Sequence, residues 1–190
     1  LQILGILNNF NLSDKNLDKS TIWHLFLESS KLAYMDRAYY IADSDFITVP
    51  VEEMLDVRYL KERSLLINKN NTIKKPKKGE LKNHQTNYLG QDTTSEQSST
   101  THISIIDHYG NGIALTSSIE FMFGSGLMTS GFLLNNQMTD FSFYPADKNG
   151  HLIANRPEGK KKPRSSMSPT LVFDPKGDLK MVLGSPGGSQ

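Results

Sequence analysis

Gln91-Asp92-Thr93-Thr94-Ser95-Glu96-Gln97-Ser98-Ser99 runs without one aliphatic or aromatic side chain into Thr100-Thr101-His102-Ile103-Ser104-Ile105-Ile106-Asp107. The first stretch buries too little apolar surface to offset its ordering entropy. The second alternates and is rich in β-branched residues, as a strand is. Gly110-Asn111-Gly112 then marks a turn, and Ile113 to Ser118 resumes the alternation, so residues 100–118 are predicted to form a β-hairpin. The chain changes character at Ser99/Thr100.

Upstream, residues 68–99 read as a long exposed linker, disordered or loosely held, with Lys74, Lys75, Lys77 and Lys78 crowded around Pro76. Residues 1–67 read as helical. Asp18 or Ser20 is placed to cap a helix that runs to about Ile41. Within it Ile22, Leu25, Phe26, Ser29, Leu32 and Ala33 recur at helical spacing and predict one buried face. Val51 to Leu66 reads as two short helices around Asp56. Downstream, residues 100–190 read as β-rich: a glycine bend at Phe123 to Gly126, a short strand over Gly131 to Leu134, and a polar surface loop from Ser142 to Arg164. A strand pair, Thr170 to Phe173 and Leu179 to Leu183, follows across Pro175-Lys176-Gly177-Asp178. Helices first and strands later predict a layered α+β fold.

The 190 residues suffice for one domain with a sizeable core. A net charge of +1 argues against a general nucleic-acid binder. The absence of cysteine removes disulfides, thiolate metal sites and cysteine nucleophiles together. His24, His84, His102, His108 and His151 show no metal-ligand spacing, so neither a metal nor another cofactor is expected. No apolar run approaches the roughly 20 residues of a membrane-spanning helix. The chain opens on Leu1 rather than Met and stops in a glycine turn, which reads as a piece of a longer protein.

Thr100 is the candidate nucleophile. A threonine hydroxyl needs an adjacent base, and cleavage before Thr100 would create one on the same residue. That α-amino group has an unperturbed pKa of about 8, so a useful fraction is neutral near pH 7. From local sequence alone, Thr100-Thr101 reads first as an ordinary β-branched strand start. Ser185-Pro186-Gly187-Gly188-Ser189 offers consecutive backbone N–H groups for an oxyanion, or a plain turn. Ser165-Ser166 beside proline bends can bond a carboxylate, and Asn135 to Phe141 offers amides and a carboxylate for an ammonium group; each also reads as polar loop. No Ser-His-Asp pattern stands out.

Taken together and in order, these motifs carry a resemblance. Thr100 to Asp107, Gly110-Asn111, Phe123-Gly124-Ser125-Gly126, Leu134 to Phe141, Arg164 to Thr170 and Gly184 to Gly188 closely resemble the γ-glutamyltransferase (glutathione hydrolase) family of N-terminal-nucleophile hydrolases. Ala33-Tyr34-Met35-Asp36-Arg37 resembles the family's helix near the end of its large subunit. The resemblance implies part of a four-layer αββα sandwich. Residues 1–67 would be the end of a large subunit, 68–99 a flexible pre-cleavage linker, and 100–190 the start of a small catalytic subunit. It implies self-cleavage between Ser99 and Thr100, then transfer of a γ-glutamyl group from glutathione or a related donor onto Thr100. Water, an amino acid or a dipeptide would release it. Gly187 and Gly188 match the family's oxyanion-hole glycines, Ser165 and Ser166 the pair binding the substrate α-carboxylate, and Gln137 and Asp140 positions binding the α-amino group. Ser118 stands where the best-known members carry threonine, and Glu120 where they carry asparagine. Ser118 keeps a hydroxyl for the nucleophile; Glu120 places a carboxylate near the donor. The resemblance further implies a periplasmic or extracellular setting. No residue matches the arginine that a large subunit supplies to the donor, so the chain alone is expected to be inactive. A glutaryl-amide or poly-γ-glutamate acylase, or an inactive gene fragment, are the competing expectations.

Overall fold

The computed structural model describes residues 1–81, 89–94 and 100–186. Helices α1 (Gln2–Leu7), α2 (Lys19–Tyr40), α3 (Val51–Met54) and α4 (Val57–Ser64) come first. Strands β1 (Leu89–Gly90), β2 (Thr100–Ile106), β3 (Gly112–Ser118), β4 (Met128–Thr129), β5 (Phe132–Leu133), β6 (Leu152–Ile153), β7 (Thr170–Phe173) and β8 (Leu179–Leu183) follow. The helix-then-strand order is the α+β arrangement expected from the sequence. No described helix is long and apolar enough to cross a membrane. The chain divides into two compact units, one of Leu1–Thr93 with Tyr144–Arg156 and one of Thr94–Phe143 with Pro157–Gln190.

In the first unit carboxylates cap two helices, and Asp18 is one of the two residues expected to cap α2. The Asp18 carboxylate accepts from Thr21 N–H at 2.7 Å at the start of α2, and Asp56 accepts from Arg58 N–H at 2.8 Å at the start of α4. Leu25, Ser29, Leu32 and Ala33 are buried along α2, whereas Phe26 stays at the rim with its ring edge-on to Trp23. The buried face also holds two carboxylates. Asp36 is fully buried and accepts four hydrogen bonds: from Gln2 Nε2 (2.6 Å), Tyr59 OH (2.7 Å), Arg63 (3.1 Å) and Gly79 N–H (2.7 Å). Burial and the neighbouring Asp36 charge push the Tyr59 phenol far up, so Tyr59 is a permanent donor here. Glu28 accepts from Lys31, Thr72 and Ile73 N–H. Residues 72–79 are thereby fastened to α2.

Two stretches differ from the sequence reading. The 68–99 stretch is not uniformly exposed: Leu81 and Leu89 lie in a buried cluster with Tyr40, Ala42, Met54, Tyr59 and Ala154. The 142–164 stretch is not all surface loop, because Ile153, Ala154 and Asn155 are buried. The burial of Leu89 and of Ile153 goes with one pairing. β1 pairs in parallel with β6, Leu89 opposite Leu152 and Gly90 opposite Ile153. Two residues of strand, paired with a segment some sixty residues away, leave no local periodicity to read.

In the second unit β2 and β3 form the expected hairpin, with Thr100 opposite Ser118 and Ile106 opposite Gly112. Asp107 holds the turn, accepting from Tyr109 N–H, Asn111 N–H and the Asn111 side chain, while Gly110 takes φ +87°. β7 and β8 form a second antiparallel hairpin. It packs on one face of the first: a Cβ on Gly112 would press into Leu179 and Val182. The outward faces carry Ile103, Ile105, Ile113 and Leu115 on one hairpin and Met181 and Leu183 on the other, all exposed.

Candidate active site

The β2–β3 register decides the site. Because Thr100 is the first residue of β2 and Ser118 the last of β3, two hydroxyls face each other at the open end of the hairpin. Thr100 Oγ1 donates to Ser118 Oγ at 3.2 Å, and Glu120 N–H donates to the same Ser118 oxygen at 2.9 Å. Two hydroxyls can share such a bond in either direction. With its oxygen already taking the Glu120 N–H, Ser118 can turn its own proton toward Thr100.

Glu120 sits just past β3 with φ +72°, an unfavourable left-handed conformation for a residue with a side chain. Asn136 holds that conformation. Its Oδ1 accepts from Phe121 N–H at 2.9 Å, and its own N–H donates to the Ile119 carbonyl at 3.2 Å. The loop 119–121 is thus stapled to the 3-10 turn Gln137–Asp140. Thr139 Oγ1 donates to the Glu120 carboxylate at 3.2 Å, and Glu120 is only 4% exposed. Within the turn Gln137 Nε2 donates to Asp140 Oδ2 at 2.8 Å. Gln137 Oε1 is buried and accepts no hydrogen bond, an acceptor left over beside a carboxylate.

Hydrogen bonds link Thr100 to Ser118, Ser118 to Glu120 and Glu120 to Thr139, which stands in the same short turn as the bonded pair Gln137 and Asp140. Thr100 and Ser118 open on a cavity of about 460 Å³ that Ser117, Met122, Phe123 and Leu133 also line. Ser165 is exposed and Ser166 half-buried, in the stretch before β7; Ser165 Oγ accepts from Met167 N–H at 3.2 Å. Ser99, Gly187 and Gly188 lie outside the described residues. Sequence reasoning passed over Asn136 and Thr139 as working parts. Their signal was weak, a pair of polar residues inside the Asn135 to Phe141 run.

The family model for gamma-glutamyltranspeptidase matches residues 1–190. The chain is 39% identical to a glutathione hydrolase proenzyme of Bacillus subtilis over 100% of its own length and 32% of that protein's. It is 30% identical to an acylase ACY 1 proenzyme of a Pseudomonas species over 98% of its length and 30% of that protein's. The chain thus spans about a third of the curated relatives it matches. Among solved structures, a cephalosporin acylase from Bacillus halodurans aligns with 85% of this chain and 25% of its own, with a TM-score of 0.61 and 22% identity. That likeness shows shared fold alone. The full-length family match and the 39% identity lead to one conclusion: the chain belongs to the gamma-glutamyltranspeptidase family.

Proposed function

We propose that this chain is the cleavage-spanning part of a self-processing γ-glutamyltransferase, or glutathione hydrolase, whose nucleophile is Thr100. The observation that carries the reading is the Thr100–Ser118 hydroxyl pair opening on a cavity at the first residue of a strand. In the precursor the Thr100 hydroxyl attacks the Ser99 carbonyl, the peptide shifts to an ester, and water opens the ester. The freed α-amino group then serves as base for the same hydroxyl. In the mature enzyme Thr100 Oγ1 attacks the donor's γ-carbonyl, its proton passing to that amine. The amine returns the proton to the leaving amino group as the acyl ester forms. Water or the amine of an amino acid or dipeptide then releases the γ-glutamyl group. Ser118 steadies the nucleophile by its hydroxyl.

The donor's ammonium group is assigned to Gln137, Asp140 and Glu120. The unpaired Gln137 carbonyl and two carboxylates supply acceptors, and a glutamyl ammonium supplies three donors. Its α-carboxylate is assigned to Ser165 and Ser166, and the oxyanion to Gly187 and Gly188. Residues 1–67, 68–99 and 100–190 are assigned to the end of the large subunit, the pre-cleavage linker and the start of the small subunit. The stacked β2–β3 and β7–β8 hairpins supply the two inner layers of a four-layer αββα sandwich, their apolar outer faces calling for helices.

Intact mass of the full-length protein tests this: two fragments meeting at Ser99/Thr100 are expected, and a single uncut mass after Thr100→Ala. An uncut, active wild type overturns the reading. The similarity to an acylase proenzyme favours one second reading, a related acylase, for which glutaryl amides or poly-γ-glutamate are the substrates to try. Comparing γ-glutamyl with glutaryl anilides separates the two. If Glu120 meets a donor ammonium, the glutaryl compound, which lacks it, is the poorer substrate.

A further inference from the structure

We infer that residues 144–156 are a latch by which the piece downstream of the Ser99/Thr100 junction stays attached to the piece upstream of it. The inference rests on the proposed cleavage for its biological meaning, but its geometry is independent of that chemistry. The first compact unit is built from Leu1–Thr93 and Tyr144–Arg156 together, so the downstream piece contributes a segment to the upstream piece's core.

The segment is shaped for insertion. It folds back on itself, with Ile153 N–H donating to the Pro145 carbonyl at 2.9 Å and Asp147 N–H to the His151 carbonyl at 2.9 Å. The Asp147 carboxylate closes the turn by accepting from Asn149 and His151 N–H. This presents Ile153, Ala154 and Asn155 as three consecutive residues no more than 3% exposed. Ala154 joins the cluster of Tyr40, Leu81 and Leu89, all upstream residues. The Asn155 side chain donates to Asp92 at 3.3 Å, and Asp92 N–H donates to the Ala38 carbonyl at 3.1 Å. The upstream strand β1 is therefore held between α2 and β6. Gly90 is needed for the close approach: a Cβ there would lie 2.6 Å from the His151 carbonyl oxygen. A cut at Ser99/Thr100 breaks none of these contacts, and the nearest of them on the upstream side is at Asp92.

The test separates attachment from self-cleavage. In the full chain carrying Thr100→Ala, a site for an added protease is placed within residues 95–98, and the upstream end carries an affinity tag. After cutting, the downstream piece is expected to remain on the resin. Gly90→Val is expected to cut the retained fraction at least tenfold. Asn155→Asp, which sets two carboxylates face to face, is expected to do the same, and adding Asp92→Asn restores an amide–carboxylate pair and with it retention. That restoration is an effect misfolding would not give. Undiminished retention in Gly90→Val and Asn155→Asp overturns the latch, as does release by Asn155→Asp that Asp92→Asn fails to reverse. Fragmentation of the full-length protein with Thr100 intact is read separately. Its absence would sink the nucleophile reading and leave the capture result standing.

Discussion

Thr100 lies in a place where a single hydrogen bond matters, because its hydroxyl has one described partner, Ser118, at 3.2 Å. Removing that partner leaves the Thr100 side chain free to turn among its rotamers. A hydrogen bond of this kind is worth about 1 kcal/mol, roughly five- to tenfold in rate if it is made only on the path to reaction. Ser118→Ala is therefore expected to slow self-cleavage of the full-length precursor by about that factor, and Ser118→Thr to leave it near the parent rate. Fragment appearance over time, measured by intact mass, checks this. An unchanged rate in Ser118→Ala would remove Ser118 from the mechanism. At this scale much was legible beforehand. The strand start at Thr100, its hydroxyl neighbour at the far end of the hairpin, and the Gln137 to Asp140 group follow from alternation, turn residues and motif order. Asn136 was not legible as a staple, because its role depends on a left-handed Glu120 that no propensity anticipates.

Elements here are joined by buried carboxylates that helical periodicity does not announce. A stripe of Leu25, Ser29 and Leu32 reads as apolar packing, yet Glu28 and Asp36 sit on the same face. They are tolerated because donors from other segments reach them: Thr72 and Ile73 for Glu28, Arg63 and Gly79 for Asp36. Such partners, dozens of residues away, cannot be read from spacing along one helix. Glu28 gives this a pH signature. Burial pushes its carboxyl up, but the bonds from Lys31, Thr72 and Ile73 N–H outweigh burial and hold it below the usual range. A carboxyl depressed in the folded state stabilises above its unfolded pKa, about 4.3, and loses that contribution as pH falls through its lower folded value. Urea midpoints are expected to hold from pH 7 to 5 and decline below about 4.3. Glu28→Gln is expected to be less stable at pH 7 and to show a shallower acid decline. Asp18, Asp56, Asp107, Asp147 and Asp174, also held low by hydrogen bonds, keep the remaining slope from vanishing. Parallel acid profiles for parent and variant would show that Glu28 does not fasten residues 72–73.

For the molecule as a whole, the second unit poses the physical problem. Its two stacked hairpins hold Gly112, Leu179 and Val182 half-buried between them and leave Ile105 at 53% and Met181 at 52% exposure on the outside. Contiguous apolar faces of this kind associate with whatever apolar surface is at hand. In the proposed αββα sandwich, helices would cover them. Expressed by itself, the 190-residue chain is accordingly expected to bind a hydrophobic dye and to elute as more than a monomer. It is also expected to release no γ-glutamyl product above the Thr100→Ala background. The sandwich makes a further demand, opposite in sign in two settings. Ile105→Lys with Met181→Lys should reduce dye binding and self-association of the 190-residue chain, because there the lysines meet water. In the full-length precursor the same lysines would have to enter a covered apolar layer, at a cost of several kcal/mol for each uncompensated charge. Self-cleavage and soluble yield are expected to collapse there. Turnover by the 190-residue chain that Thr100→Ala abolishes would show that no covering layer is required. A full-length double-lysine variant that processes normally would show that these faces remain open, and would remove the sandwich with them.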